Sequence, residues 1–388
     1  MTGTSDRSQY PQFSEAEFER RYERVRRLMT DRGMDAVVVF GWSAMGRAAQ
    51  ADVHYLSGYL GMRDNYVTMP AEGEPVLFAQ SYNHVPNAAV ASSLDDVRWG
   101  GVDSGRTVGA ELVRLDARRV GVVGWMPYQH HESMRAAAPG VTFTDLTGEF
   151  RRLRVDKSEE ELEWLMRGAA FTDAALEALG SGLRPGIREF ELAGVIEQAY
   201  LADGGLTTFY YLASTPMSAP DRCVPAQVLS DRVIEAGDVV STEISISYGG
   251  YAGQGLRTYV VAADPTPEVA GLHEVAVEVY RRVAAAIRPG ATHEDVWAAA
   301  DPIDERGYSI RDDLVHGFGI GILPPAIRTR QTTHREDPWT FAKGQTLVIQ
   351  PNVITADERI GVQTGDLCVV TADGARSLHH TPLELRRV

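Results

Sequence analysis

The sequence predicts an α+β fold of two domains. Three observations favour it: a length of 388 residues with 44% hydrophobic residues, the grouping of strand and helix patterns, and a strong helix start in mid-chain. Strand patterns come first, helix patterns follow in clusters, and strand patterns return at the end. A doubly wound sheet would alternate strands and helices throughout. We place the two domains at residues 1–153 and 154–388.

The first domain is predicted to be α/β. Ser14 and Glu17 form the pattern of a helix-starting capping box, apolar residues follow at helical spacing, and Gly33 ends the predicted helix. Residues 35–40 are a short, mostly apolar run that is typical of a buried strand. Further strand patterns occupy residues 65–69, 75–79 and 119–123, with helical segments between them.

The second domain begins at another capping-box pattern, Ser158 with Glu161. The predicted elements after this helix are a helix over residues 188–202, a β-rich section over 207–261, helices that begin at Thr266-Pro267 and at Thr292, and antiparallel strands over 345–378. The tripeptide Ala372-Asp373-Gly374 is typical of a hairpin turn between the last strands.

Composition excludes several classes of partner. A formal net charge of -15 argues against nucleic acid and anionic membranes, because phosphate binding needs a cationic surface. No apolar run approaches the roughly 20 residues that span a bilayer. The polar start of the chain lacks the pattern of a signal peptide, and two cysteines, Cys223 and Cys368, fit a reducing compartment. We therefore expect a cytoplasmic protein whose partner is a small-molecule substrate.

Four segments carry a resemblance to a known family: residues 54–59 (HYLSGY), 157–161 (KSEEE), 232–238 (RVIEAGD) and 316–321 (HGFGIG). In this order they resemble creatinase, prolidase and the related aminopeptidases of the "pita-bread" superfamily. The similarity runs from about residue 13 to residue 385. It implies a creatinase-like N-terminal α/β domain, a C-terminal pita-bread catalytic domain, and a homodimer with its pocket near the dimer interface.

The metal-binding positions of that family are changed in this chain. The metallopeptidases bind two divalent ions through two aspartates eleven residues apart, a histidine and two glutamates. The resemblance places at those positions, in order, Glu243, Gln254, His316, Gln350 and Gly365. Neutral amides bind divalent ions poorly, and glycine has no side chain to offer. The sequence therefore predicts no dinuclear metal site and no cofactor.

The function that this pattern favours is a metal-independent enzyme that acts on a small polar metabolite, with creatinase-like hydrolysis of a C–N bond. His316 and Glu243 are the candidate catalytic residues, because a carboxylate beside an imidazole can transfer protons. The candidate substrate-binding residues are Gln254, Gln350, Gln363, Arg257, Tyr210, Tyr211 and Arg63.

Other interpretations stay open at this stage. Glu243 could serve only in an ion pair with Arg257 or His316, and Arg63, which the resemblance places where an arginine reaches into a neighbouring subunit, could be an ordinary surface residue. The alternative functions are a lyase, dehydratase or cyclase, a non-catalytic binding protein, and a peptidase with a displaced metal site.

Overall fold

The computed structural model describes residues 9–42, 47–332 and 338–388. Its contacts divide the chain into two compact units, one up to Arg154 and one from Val155 onward. Both units contain helices and sheets, which confirms the predicted α+β class. Within the described residues, no helix combines the length and the apolar composition needed to cross a lipid bilayer.

The N-terminal unit is a six-stranded sheet covered by helices. Its helices are α1 (Glu15–Arg32), α2 (Ala51–Ser57), α3 (Val85–Ala91), α4 (Ser104–Arg114), α5 (Tyr128–Ala137) and α6 (Thr147–Leu153). Its strands are β1 (Ala36–Gly41), β2 (Asn65–Pro70), β3 (Val76–Ala79), β4 (Val97–Trp99), β5 (Arg119–Val123) and β6 (Thr142–Asp145). The strand order is β4-β3-β2-β1-β5-β6, with β1 antiparallel to β2 and parallel to β5.

The start and end of α1 are those that the sequence predicts, but its capping box is incomplete. The Ser14 side chain accepts a hydrogen bond from the Glu17 backbone, and Gly33 ends the helix in a left-handed conformation with φ 64°. The Glu17 carboxylate does not bond back to Ser14. It accepts hydrogen bonds instead from Arg20 at 2.7 Å and from Arg21 at 2.6 Å, since these arginines lie one turn further along the same helix face.

The predicted strands of this unit are confirmed as β1, β2, β3 and β5. Strands β4 and β6 are not predicted from the sequence; they are only three and four residues long and largely exposed or half-buried. Their short, polar sequences lack the continuous apolar pattern that identifies a buried strand, and only pairing with β3 and β5 makes them strands.

The C-terminal unit is built around a larger sheet. Its helices are α7 (Glu159–Gly182), α8 (Glu191–Gln198), α9 (Pro267–Ala286) and α10 (His293–Glu305). Its strands are β7 (Leu206–Pro216), β8 (Asp238–Tyr248), β9 (Tyr251–Val260), β10 (Tyr308–Ile310), β11 (Val315–Gly319), β12 (Gly321–Ile327), β13 (Thr346–Ile349), β14 (Val353–Thr355), β15 (Gly365–Val370), β16 (Ala375–Ser377) and β17 (Arg386–Arg387). The main strand order is β12-β11-β13-β15-β9-β8-β7.

Most helix limits in this unit confirm the sequence predictions. The capping box of Ser158 and Glu161 is complete, and Thr266 and Thr292 cap α9 and α10. The predicted helix over 188–202 is shorter than expected, because α8 spans only Glu191–Gln198 and a separate 3-10 turn leads to Gly204.

Helix α7 lies directly on the backbone of β8 and β9. The Thr172 hydroxyl donates to the Gly253 carbonyl at 2.5 Å and accepts from the Ile246 backbone N–H at 3.0 Å. Gly253 leaves room for the helix, since a Cβ at this position would lie 2.3 Å from the backbone N and Cα of Ala169. The helix and the two strands therefore form one tightly packed layer.

This packing assigns the two faces of the sheet. Ile244 and Ile246 lie in the apolar core with residues of α7 and α8. Side chains alternate between the faces of a strand, so Glu243 and Ser245 point to the opposite face. In β9 the register pairs Ser245 with Gln254, which places Gln254 on that opposite face as well. Polar side chains of the adjacent strands β8 and β9 therefore lie side by side on the face opposite α7.

We expect Gly253→Ala to destabilise the C-terminal unit by ~3 kcal/mol or more, because the added methyl group meets helix backbone that cannot move independently. Gly194→Ala is the matched control, since Gly194 lies in α8 and a methyl group added there would have no atom within 4 Å. There alanine should be neutral or stabilising by roughly 0.5–1 kcal/mol. Urea unfolding of both variants measures the difference. Equal midpoints for the two variants would show that α7 does not need this contact.

Candidate functional site

A cavity of about 410 Å³ opens on the sheet face that points away from α7. Its floor carries five polar side chains from five strands or their ends: Glu243, Gln254, His316, Gln350 and Gln363. All five are buried. Tyr211 lines the same cavity, so the structure brings together both predicted catalytic residues and four of the predicted substrate-binding residues.

Gln254 is the centre of the hydrogen-bond network on this floor. Its Nε2 donates to Glu243 Oε1 at 2.8 Å and to Gln350 Oε1 at 2.9 Å. The Gln350 Nε2 in turn donates to the Asp313 carbonyl at 3.0 Å. Because each amide is held by more than one hydrogen bond, these side chains have fixed orientations before any ligand arrives.

Glu243 is a carboxyl group in a poorly solvated position. It is 8% exposed, and burial, followed by the nearby charge of Asp312, raises its pKa to about 8. Both causes disfavour the ionised form. At neutral pH the cavity therefore contains mostly uncharged Glu243, which can act as a hydrogen-bond donor.

His316 lies on β11 between β12 and β13, next to a register shift at Gly317. Its Nδ1 lies 3.1 Å from the Gly317 carbonyl oxygen. A carbonyl only accepts, so Nδ1 carries the proton. Burial lowers the pKa of the imidazole, against opposing contributions from the Gly317 hydrogen bond and neighbouring carboxylates. The neutral ring consequently leaves Nε2 unprotonated and able to accept a proton.

One wall of the cavity is apolar and aromatic. Phe209 and Tyr211 of β7 stack with ring centroids 4.7 Å apart and an interplanar angle of 20°. Tyr211 is paired with Glu243 across β7 and β8. Burial and the charge of Glu243 raise the pKa of the Tyr211 phenol, so this hydroxyl stays protonated. Val224, Pro225 and Ile322 continue this wall.

The rim of the cavity is charged, and its residues are not among those predicted from the sequence. Arg311 forms an ion pair with Glu358, and Asp313 forms one with Arg328 at 3.1 Å. Asp312 is exposed, and its carboxylate accepts only the backbone N–H of Asp313 among the bonds of the described residues. The sequence holds one sign of this rim, the Arg-Asp-Asp run at residues 311–313 shortly before His316. In the sequence this run is indistinguishable from an ordinary solvated turn, and only the structure places it beside the cavity.

Two predicted substrate-binding residues, Arg257 and Tyr210, point away from the cavity. Arg257 lies three residues after Gln254 and so on the other face of β9, where its guanidinium donates to the Gly365 carbonyl and to Asp366, each at 2.8 Å. The alternative in which Glu243 pairs with Arg257 is therefore excluded, since Arg257 pairs with Asp366. Tyr210 alternates with Tyr211 in the same way, and its hydroxyl donates to Glu197 at 3.1 Å.

Arg63 belongs to the N-terminal unit. It has a left-handed backbone with φ 65°, and its carbonyl accepts hydrogen bonds from Gln50 Nε2 at 2.6 Å and from Asn65 Nδ2 at 3.2 Å. These bonds hold a conformation that non-glycine residues seldom adopt. Its role in substrate binding stays a prediction.

Comparison with known proteins identifies the family. Residues 163–372 match metallopeptidase family M24, and residues 21–155 match the creatinase/prolidase N-terminal domain. The chain is 33% identical over 261 residues to the probable dipeptidase PepE of Mycobacterium tuberculosis, a stretch that covers 64% of this chain and 65% of that protein. It is 25% identical over 372 residues to the Xaa-Pro dipeptidase of Pyrococcus furiosus, covering 94% and 99% of the two chains.

Solved structures share the fold. The crystal structure of dipeptidase PepE from Mycobacterium ulcerans superposes with a TM-score of 0.80 at 26% identity, covering 97% of this chain and 100% of that one. The family match spans more than half of the chain. The chain therefore belongs to metallopeptidase family M24 and to the creatinase/prolidase/aminopeptidase P superfamily with the pita-bread fold, which confirms the resemblance seen in the sequence.

The predicted reaction class is wrong. The relatives are named dipeptidases and Xaa-Pro dipeptidases and belong to a metallopeptidase family, which contradicts a metal-independent, creatinase-like enzyme. These names also give no support to a lyase, a cyclase or a non-catalytic binding protein. The identity of a few side chains at the metal-ligand positions does not by itself define the reaction. The alignment with PepE covers just under two thirds of that protein, so the activity of this chain is a matter for proposal.

The family implies divalent metal ions, and the described residues do not fit a pair of them. No group of three or more His, Cys, Asp and Glu side chains in the described ranges is arranged to hold a metal. Gln254 points an N–H donor at both of its neighbours, where a metal site needs electron-pair donors. Gly365 adds no ligand, and a Cβ built there would lie 2.4 Å from the Ile349 carbonyl oxygen.

We expect Glu243→Gln to change how stability depends on pH. The folded-state pKa of Glu243 is raised from the ordinary 4.5 to about 8. The contribution of Glu243 to the free energy of unfolding is therefore complete below pH 4.5, and it is lost as the pH rises to about 8. Urea unfolding at pH 5 and pH 8, with EDTA present, measures the effect. At about 1.4 kcal/mol per pH unit, the variant should gain ~3–4 kcal/mol on the wild type between these pH values.

Glu235→Gln is the matched control for this measurement, since Glu235 is exposed and does not line the cavity. It should follow the wild type at both pH values. If Glu243→Gln also follows the wild type, Glu243 titrates normally and is better solvated than its burial indicates.

Metal titration tests the misfit of the ligand set. Gln254→Glu keeps the side-chain shape but replaces the N–H donor by a carboxylate 2.8 Å from Glu243. The two carboxylates repel each other unless a cation lies between them. We expect this variant to bind Mn²⁺ at least ~10-fold more tightly than the wild type does, by calorimetric titration. Gln227→Glu, on the exposed cavity edge, controls for general attraction. Tight binding of two Mn²⁺ ions by the wild type would show that ligands outside the five positions complete a metal centre.

Proposed function

We propose that this chain hydrolyses short peptides that bind in the cavity floored by Glu243, Gln254, His316, Gln350 and Gln363. One observation carries the proposal: a carboxyl, an imidazole and three carboxamides face a single cavity of about 410 Å³, and hydrogen bonds fix the orientations of Glu243, Gln254 and Gln350. That volume is of the order that holds a small ligand. The names of the relatives, dipeptidase PepE and Xaa-Pro dipeptidase, support a short peptide as the substrate.

The two sides of the cavity suit the two parts of a peptide. Peptide groups need hydrogen-bond donors and acceptors, and the floor supplies both through its carboxamides. Peptide side chains are often apolar, and the wall at Phe209 and Tyr211 offers an aromatic surface. A substrate that spans floor and wall would be oriented by both interactions.

His316 is the residue that we assign to proton transfer. Its Nδ1–H is held by the Gly317 carbonyl, and its Nε2 has a free electron pair in the neutral ring that burial favours. Such a nitrogen can take a proton from an attacking water and return it to the leaving amine.

Glu243 and the glutamines hold the substrate in this proposal. The Gln254 amide fixes Glu243 Oε1 and Gln350 Oε1, so their remaining hydrogen-bonding capacity is directed at a ligand. The sequence predicts a catalytic Glu243, and that prediction remains untested. The predicted homodimer, the reach of Arg63 into a partner subunit and the cytoplasmic location also remain predictions.

Hydrolysis is tested with a panel of unblocked dipeptides that includes Xaa-Pro sequences, with and without added Mn²⁺, by mass spectrometry of the products. We expect release of free amino acids. His316→Gln keeps a donor for the Gly317 carbonyl but cannot take up a proton, so it should lower kcat/KM by ~10²–10⁴.

His380→Gln serves as the control, because His380 is exposed and lies outside the cavity. It should retain wild-type activity. Full activity in His316→Gln would remove His316 from the reaction. The absence of any cleaved dipeptide under both metal conditions would overturn the proposed hydrolysis.

A further inference from the structure

The N-terminal unit has a cavity of its own, which the proposed peptide hydrolysis does not use. It has a volume of about 390 Å³ and lies at the carboxyl ends of the parallel strands β5 and β6. Residues of both strands, of the loop after β5, of α5 and of the start of α6 line it. The volume is of the order that holds a small ligand.

The chain leaves β5 and β6 towards opposite faces of the sheet. After β5 it enters α5, whose Met134 packs in one apolar cluster with Val120. After β6 it enters α6, whose Phe150 packs in another cluster with Val123. Residues 120 and 123 are an odd number of positions apart and so lie on opposite faces of β5. In open α/β sheets, ligands bind in the crevice where neighbouring connections diverge in this way.

Hydrogen bonds hold the two sides of this crevice together. The Gly124 N–H donates to Thr147 Oγ1 at 3.0 Å, and the Leu146 N–H donates to the Val122 carbonyl at 2.9 Å. Gly124 also lies close to the end of β1, since a Cβ there would be 2.5 Å from the Phe40 carbonyl oxygen. The crevice is therefore formed before a ligand binds.

Asp145 presents a carboxylate at the end of β6. Its Oδ1 accepts the Thr147 backbone N–H at 2.9 Å, whereas Oδ2 accepts no hydrogen bond from the described residues. Asp145 lies 21 residues after Gly124. In βαβ units that bind dinucleotides, a glycine follows the first strand, and an acidic residue about 20 residues further on accepts hydrogen bonds from the ribose. Asp145 has the corresponding position in the unit β5-α5-β6.

The loop after β5 is unsuited to a pyrophosphate. The dinucleotide motif G-x-G-x-x-G needs its second glycine so that the backbone can approach the phosphates, and its third for close packing of the helix. Counted from Gly124, these positions are Met126 and Gln129. The crevice therefore fits the nucleoside part of such a ligand and not its pyrophosphate.

An exposed indole offers a surface for a base. Trp125 lines the cavity and is 65% exposed. The Arg151 guanidinium lies 4.9 Å from the centre of its ring and is itself paired with Asp52 at 3.5 Å. Since Arg151 already places a cation near the indole, a neutral ring is favoured over a second cation. His131 and Phe143, in edge-to-face contact at 5.5 Å, add aromatic surface to the cavity.

We propose that the crevice between β5 and β6 binds a ribonucleoside, with its vicinal ribose hydroxyls on Asp145 and its base stacked on Trp125. A carboxylate has acceptors enough for both hydroxyls and for the Thr147 N–H. Stacking on an aromatic side chain requires no particular base, and a purine covers more of the indole than a pyrimidine does. Adenosine is therefore a suitable probe.

Calorimetric titration of the full chain at pH 7 tests this site with adenosine and 2′-deoxyadenosine. The two probes carry the same base and differ in one ribose hydroxyl. We expect adenosine to bind at least ~10-fold more tightly, which is the size expected for a hydrogen bond to a charged acceptor.

Variants locate the two contacts. Asp145→Asn keeps an acceptor for the Thr147 N–H but loses the charge, so it should reduce the preference for adenosine to about 2-fold or less. Trp125→Leu should weaken the binding of both probes by ~10-fold and leave their ratio unchanged. The controls are Asp31→Asn, in an exposed part of α1, and Trp99→Leu, on β4 at the opposite edge of the sheet. Both should bind the probes as the wild type does.

Three outcomes would overturn the ribonucleoside site. They are no binding of adenosine, equal affinity of the wild type for the two probes, and wild-type affinity for both probes in Trp125→Leu. The measurement requires no turnover and involves no residue of the cavity in the C-terminal unit. Its result is therefore independent of whether the chain cleaves peptides.

Discussion

The contact between helix α7 and the paired strands β8 and β9 is the constraint on which the site depends. Thr172 bonds to the backbone of both strands, and Gly253 allows the helix to approach them. The sheet face that contacts α7 is therefore buried in the apolar core. Strict alternation then leaves the polar residues of the same strands on the other face, facing the cavity. The packing of apolar groups thus determines where the polar groups can act.

The polar floor replaces coordination with hydrogen bonding. In a site for divalent ions, acceptor oxygens converge on a cation. Here the Gln254 amide N–H lies among the acceptors and donates to two of them, so the floor is internally bonded without an ion. Glu243 then lacks a compensating positive charge, which is why burial raises its pKa to about 8.

Family membership identifies the fold of this chain, whereas the chemistry of its side chains limits what the cavity floor can bind. The fold and the family were evident in the sequence, because helix caps, glycines and strand patterns are local signals in a fixed order. The reaction was not evident. Absent ligands favoured a metal-independent enzyme, and the dipeptidase relatives contradict that inference. A changed ligand set describes what the floor can bind, and it does not by itself define the bond that is cleaved.

The sequence by itself determined the class of fold, most helix limits and the membership of Glu243, Gln254, His316, Gln350 and Gln363 in one site. The helix limits follow from capping residues, which act over a few positions, whereas the membership of these five residues in one site is what the family resemblance implies. Only the tertiary structure decided which side chains share a face. In the structure Arg257 and Tyr210 point away from the cavity, whereas Asp312 and Phe209, which the sequence did not indicate, line it. The physical reason is that these residues meet through strand pairing and chain reversal between distant parts of the sequence, which no local pattern records.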